Sequence, residues 1–221
     1  MTMVTEGDPS VTTATWRLAQ ASAQLTIGGY DSSNVAVTDV EVKRDGTTLV
    51  KAARTELHTR PNRTDPLSID IVASLKSAIF SGAGTEPIDA ELQMIARKIL
   101  RNPSRPQILA VRQWQAAGGS VDLILLRLVQ GPALGIAKGT LRLTPDGKPD
   151  GEIELRVADV PAALRATGLG ATLGPIASGA ITMASRPAEV EGRPGRVLTL
   201  RAADGRLQVG PIRIGLPTIL P

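Results

Sequence analysis

The chain has 221 residues, 25 Lys+Arg against 21 Asp+Glu, and no cysteine, with aromatic residues at only 2%. Without cysteine there are no disulfides, thiolate nucleophiles, zinc–thiolate sites or iron–sulfur clusters. One Phe, one Tyr and two Trp leave the core to Leu, Ile, Val and Ala, and remove most of the stacking platforms that single-strand nucleic-acid binders use.

Charge is uneven. Residues 1–90 hold 8 Lys+Arg and 11 Asp+Glu; residues 91–221 hold 17 and 10. No recognition-helix or RNP-like pattern accompanies the basic half, so nucleic acid is not expected as a partner. Residues 1–12 read as a frayed terminus, and Met1–Ser10 lack the basic and apolar regions of a signal peptide. No run of 18 apolar residues exists; the longest, Val121–Val129, is interrupted by Asp122 and Arg127. No transmembrane segment is expected.

From Thr13 the chain reads as strands. Trp16 and Leu18 share a parity, and Leu25 and Ile27 follow. Val35, Val37, Val40 and Val42 alternate with polar residues up to Asp45-Gly46, and Leu49–Leu57 forms the return strand. Pro61–Pro66 is a loop; Leu67, Ile69 and Ile71 begin another strand. Ser81-Gly82-Ala83-Gly84 is the most linker-like piece, so residues 13–221 form one β-rich domain with a sub-boundary, if any, near 81–86.

Ile88–Leu100 fits two periods. Ile88, Ala90, Leu92 and Met94 alternate, whereas Leu92, Ile95, Ala96 and Ile99 sit at helical spacing. The break at Asn102–Pro106 favours a strand. A helix is predicted from about Arg105 to Ala117, with Gly118 past its end. Alternation returns over Val121, Leu123 and Leu125; over Leu134 and Ile136, then Leu141 and Leu143; and over Ile153, Leu155 and Val157. Asp159 and Pro161 predict an N-cap and N1 proline for a helix ending at Gly168. Leu173–Ala184 is spaced for another helix. A hairpin from Val197 to Val209 closes the chain. Asp-Gly occurs at 45–46, 146–147 and 204–205, each between alternating segments; this pair supplies the positive φ angles of tight hairpins, and the turn at 146–147 is predicted to pair Gly139–Leu143 with Glu152–Val157. The expected fold is therefore α+β: a long, curved antiparallel sheet built of hairpins, with two or three short packing helices.

The residues that could carry chemistry have simpler explanations. His58, the only histidine, reads as a surface residue of a strand. Asp146, Asp150, Glu152 and Glu154 surround a turn, but their spacing is not that of an EF-hand and Glu152 and Glu154 share one face of a strand. Gly168–Gly174 lacks the preceding strand of a dinucleotide loop. Gly131–Gly139 contains Lys138 without the ending of a P-loop. Asn62-Arg63-Thr64 is a formal glycosylation sequon. No catalytic residue, metal or cofactor is expected.

The stretch Trp114–Gly119, the alternating strand after it, Gly131-Pro132, Ala137–Leu141 and Asp146–Gly151 resembles the bacterial domain-of-unknown-function family 2125. The closing run Asp204–Pro211 through Leu216-Pro217 resembles that family's end. The likeness covers roughly residues 87–221 well and the first third poorly. It implies a β-rich part on the periplasmic side of the bacterial inner membrane, behind a membrane-anchoring segment that is not expected among residues 1–221. It brings no activity and no catalytic residues. The aromatic-poor sheet also suggests, by analogy of fold, envelope proteins that shield lipid.

The resulting expectation is non-enzymatic: an envelope domain holding a lipid or other acyl ligand on an apolar sheet face. Leu123, Leu125, Leu141, Leu143, Ile153 and Leu155 are the expected lining. Arg97, Arg101, Arg105 and Arg112 are the expected headgroup contacts. The alternative is a structural or protein-interaction module of the envelope without a small-molecule ligand.

Overall fold

The computed structural model describes residues 11–27, 29–81, 86–99, 107–166, 179, 183–210 and 212–216. Thirteen strands form one antiparallel sheet. They are β1 (Thr12–Thr15), β2 (Leu18–Thr26), β3 (Gly29–Arg44), β4 (Thr47–Pro61), β5 (Ile69–Phe80), β6 (Ile88–Ala96), β7 (Ser120–Gln130), β8 (Ala133–Leu143), β9 (Pro149–Ala158), β10 (Arg186–Val190), β11 (Arg193–Ala203), β12 (Arg206–Val209) and β13 (Ile212–Gly215). Two helices are described over their whole length, α1 (Gln107–Ala116) and α2 (Val160–Ala166). From β3 to β9 each strand pairs with its neighbour in sequence. β1 and β2 lie along one edge of β3; β10 and β12 both pair with β11.

The segment Ile88–Ala96 is a strand, as its alternation indicated, and both described helices fall where the sequence placed them. Asp159 caps α2 by accepting the Ala162 N–H at 2.9 Å. Pro161 is the helix's second residue rather than its first. The helix expected over Leu173–Ala184 and the glycine run 168–174 lie largely outside the described residues, as do the Ser81–Gly84 linker's last three positions.

Asp45-Gly46 and Asp204-Gly205 are two-residue turns with both residues at positive φ, the geometry that matches strand twist. Glu191-Gly192 is a further turn of this kind. At Asp146-Gly147 only Gly147 has positive φ, 72°. There the loop is wider: Thr144 N–H donates to the Lys148 carbonyl at 2.9 Å and Gly147 N–H to the Thr144 carbonyl at 2.8 Å. Pro145, with its fixed φ, takes a turn position that Asp-Gly alone did not reveal. In consequence Gly139–Leu143 pair with Pro149–Ile153, not with Glu152–Val157.

A line of irregularity crosses the first strands. Asp39 in β3 and Ser77 in β5 have φ of 51° and 50°. They fall where the pairing is interrupted, between Thr38↔Arg54 and Val40↔Ala52, and between Arg54↔Lys76 and Lys51↔Ile79. The apolar alternation changes phase on this line: Val35 and Val37 give way to Val40 and Val42, and Ala73 and Leu75 to Ala78 and Phe80. The break between β1 and β2 meets the same line, where the Arg17 guanidinium donates to Asp39 at 2.5 Å. One residue in the left-handed region lets a strand resume its alternation on the other parity, and such irregularities also bend and twist it.

The largest fully buried apolar side chains gather at one end. Leu134, Ala158 and Val190 are at most 1% exposed and pack with Val129 and Ile136, and α2 packs on β8 and β9 beside them. At the opposite ends of these strands α1 is held by side-chain bonds. Trp114 Nε1 donates to the Arg97 carbonyl at 2.6 Å, and Gln115 Nε2 to the Thr144 carbonyl at 2.9 Å. Gly119 permits this approach, since a Cβ there would lie 2.2 Å from Trp114 Nε1.

Gly147→Val forces a β-branched residue to positive φ at a cost of about 1–3 kcal/mol. For a chain of this size the melting temperature should fall by about 2–4 °C per kcal/mol. An unchanged melting curve contradicts the turn described here.

Candidate functional site: one apolar face of the sheet

Directly paired residues in an antiparallel ladder lie on the same face, so the register sorts the side chains. One row runs Ala21, Val35, Leu57, Ala73, Leu92, Leu126, Ala137, Leu155 and Leu198, one residue from each of nine adjacent strands. At the usual strand spacing it is about 38 Å long, and it contains no polar side chain. A neighbouring row runs Ile71, Met94, Leu123, Gly139, Ile153, Leu200 and Val209. Another contains Ile69, Ala96, Val121, Leu141, Gly151, Ala202 and Leu207.

The opposite face is polar over the same strands. One row there runs Ala36, Glu56, Ser74, Glu91, Arg127, Ile136, Arg156 and Val197; another runs Asp70, Ile95, Asp122, Thr140, Glu152, Arg201, Gln208 and Arg213. His58 lies on this face, exposed, with Nδ1 2.7 Å from Asn34 Oδ1. The carboxylates of the turn region pair singly with cations: Asp150 with Arg142 at 2.7 Å, Glu154 with Arg156 at 2.8 Å, and Asp146 with Lys148 at 3.3 Å. Exposed pairs of this kind contribute little individually, about 0–1 kcal/mol.

Burial on the apolar face is graded. Leu198, Val157 and Ala137 are buried, while Leu57 is 40% and Leu128 41% exposed. The face is therefore sealed around β8, β9 and β11 and open toward β4 and across β7.

Of the six residues read from sequence as ligand lining, the register brings Leu123, Leu141, Leu143, Ile153 and Leu155 to this face. It places Leu125 on the other. Between Gln93↔Leu125 and Met94↔Leu123 the register shifts, and a matching shift lies between Leu123 and Leu126 on the β8 side. The bulge inserts one residue, so Leu126 takes the apolar position that alternation assigned to Leu125. Leu134 and Ile136 likewise stand on the face opposite Leu141 and Leu143, where they form the buried cluster.

The basic residues chosen from sequence do not form one described cluster. Arg97 bridges elements: its Nε lies 2.5 Å from Asp122 Oδ2, and its NH1 is 3.9 Å from Asp65 Oδ2. Arg112 is exposed on α1. Arg101 and Arg105 lie outside the described residues. Sequence reading missed a different basic strip. Arg186, Arg201 and Glu152 border a depression of about 330 Å³ between β9, β11 and β12. An adjoining one of about 190 Å³ is bordered by Arg201, Arg206 and Arg213. The alternation of these arginines with apolar residues in the last strands was the available signal.

A two-point polar link joins β7 to the β10–β11 turn. Arg127 donates from Nε to Glu191 Oε1 at 2.8 Å and from NH2 to Oε2 at 2.9 Å, a bidentate pair. Hydrogen bonding to Arg127 lowers the Glu191 pKa, against a smaller opposing effect of burial. The same bond raises that of Arg127. Glu41 is lowered chiefly by the Thr48 hydroxyl, Glu56 by Arg54 and Asp65 by the Ser68 hydroxyl.

A carboxylate whose pKa is lower folded than unfolded stabilises the fold above the unfolded value, about 4.3 for Glu. That stabilisation disappears as pH falls through the folded value. The melting temperature should therefore drop as pH falls below about 4. Glu191→Gln should lower it at neutral pH and flatten this acid limb. Parallel wild-type and variant curves across the acid range contradict the assigned role of the pair.

Among the described residues no helix is long and apolar enough to cross a membrane, which leaves strand-built membrane proteins unaddressed. No curated protein and no solved structure matches the chain. A family model described as "Uncharacterized protein conserved in bacteria (DUF2125)" matches residues 2–216, including the first third, which the sequence motifs covered poorly. With nearly its whole length matched, the chain belongs to this bacterial family.

Proposed function

We propose that this chain is a non-enzymatic domain of the bacterial envelope that holds a lipid or other acyl ligand against the apolar face of its sheet. The observation that carries the reading is the uncharged row from Ala21 to Leu198, which crosses nine strands while the paired rows beneath it are charged. A solvent-facing sheet surface normally bears the polar half of the alternation. Here Leu57 and Leu128 stand 40% and 41% exposed on the apolar half. A large exposed apolar surface is costly in water and marks a binding surface. An acyl chain suits it because the central row crosses nine strands without a hydrogen-bond donor or acceptor among its side chains. Selectivity then comes from shape and length, and the headgroup is left to groups at the ends of the rows. A periplasmic position beside the inner membrane, where such ligands pass, belongs to the same proposal.

A fluorescent fatty-acid probe should bind the purified chain at micromolar concentration and be displaced by phospholipid. Leu57→Glu and Leu128→Glu should each weaken that binding at least tenfold. Val72→Glu should leave it unchanged: Val72 is equally exposed, at 44%, but pairs with His58 and Gln93 on the polar face. Equal effects from all three substitutions, or no binding by the wild type, would refute the reading.

A further inference from the structure

β2 is an edge strand. Leu18–Thr26 pair with β3 on one side, and among the described residues nothing pairs on the other. All nine residues are exposed. Natural sheets usually blunt such an edge with a lysine, a proline or a bulge in the edge strand itself. Leu18–Thr26 has no charge and no proline. The one irregularity in this pairing, between Gln24↔Ser32 and Leu25↔Tyr30, places the extra residue, Asp31, in β3. The other end of the sheet, by contrast, carries Arg206 and Arg213.

The edge is also self-complementary. About Ser22, Ala21 mirrors Ala23, Gln20 mirrors Gln24, and Ala19 mirrors Leu25. An isologous interface requires this property, because a twofold axis sets each residue against its mirror position on an identical chain. Antiparallel pairing centred on Ser22 would place amide beside amide on the polar face. On the other face it would place Ala19, Ala21, Ala23 and Leu25 beside one another, in line with Val35 and Val37. No like charges would meet. An unrelated strand could satisfy the backbone groups, but the mirror symmetry fits a second copy.

We propose that two copies of this chain join edge to edge through β2, antiparallel about Ser22, to form one continuous sheet with a shared apolar face. This goes beyond the ligand proposal and does not depend on it.

Sedimentation velocity of the full chain over a concentration series tests the joint. The wild type should show a dimer that dissociates on dilution. Gln20→Lys with Gln24→Lys opposes lysines across the axis and should give a monomer. Gln20→Lys with Gln24→Glu sets each new lysine against the other copy's new glutamate. That variant should restore a dimer, now weakened by salt. A parallel pairing would instead oppose like charges in this variant as well. Because the chain has no native thiol, Ser22→Cys should yield a disulfide-linked dimer on mild oxidation, and Ala19→Cys should not. Circular dichroism checks that each variant is folded. A wild type that is monomeric at every concentration overturns the proposal. So does a folded Gln20→Lys/Gln24→Glu variant that is as monomeric as the double-lysine one.

Discussion

Cross-strand register is the constraint on which this structure depends. Among the described residues, a sheet of thirteen strands carries only short helices, and no second layer sorts residues by burial. Backbone pairing does it instead. Because side chains alternate with a period of two, a slip of one residue in any pairing would carry that strand's apolar residues to the polar face. Nine strands each deliver an uncharged side chain to one row only because their registers agree. Turns set those registers locally: Asp45-Gly46, Glu191-Gly192 and Asp204-Gly205 fix two-residue hairpins, and the Pro145 loop fixes a wider one.

Over long strands, alternation must also be corrected where the sequence changes phase. β3 and β4 have 16 and 15 residues, well above the usual strand length of about 5–6. Asp39 and Ser77 provide such corrections on one transverse line. The bulge at residues 124–125 provides another. Each device costs ladder hydrogen bonds or left-handed backbone and gains consistency of the face. That these irregularities fall where the apolar pattern changes parity indicates that they serve the face.

Much of this was legible in the sequence, because a period of two is a local property. Most of the strands, both described helices, two of the three Asp-Gly turns and the family were readable from residues a few positions apart; β10 was not. The errors share a cause. Leu125 was assigned by extending alternation through a bulge, and a bulge depends on the partner strands. Gly139–Leu143 was paired too far along β9 because Pro145 widens the turn. The Arg127–Glu191 pair joins residues 64 apart, and the arginine strip of the last strands comes together only once β9, β11, β12 and β13 are side by side. The pair has no signature in local spacing, and the strip shows locally only as arginines alternating with apolar residues.

The face also explains how a chain with so few aromatic residues can work without a thick core. Full burial is concentrated around Leu134, Ala158 and Val190, where burying a leucine contributes about 1.5–3 kcal/mol. Elsewhere apolar side chains are half-covered by their own neighbours in the row, and a ligand would complete their burial. Native mass spectrometry of the chain purified from bacterial cells without detergent, followed by lipid extraction, tests this most directly. The account predicts a population carrying an acyl compound in defined stoichiometry, lost on organic extraction. A single apo mass under these conditions, from protein whose apolar face is protected from solvent by its own chain, would contradict it.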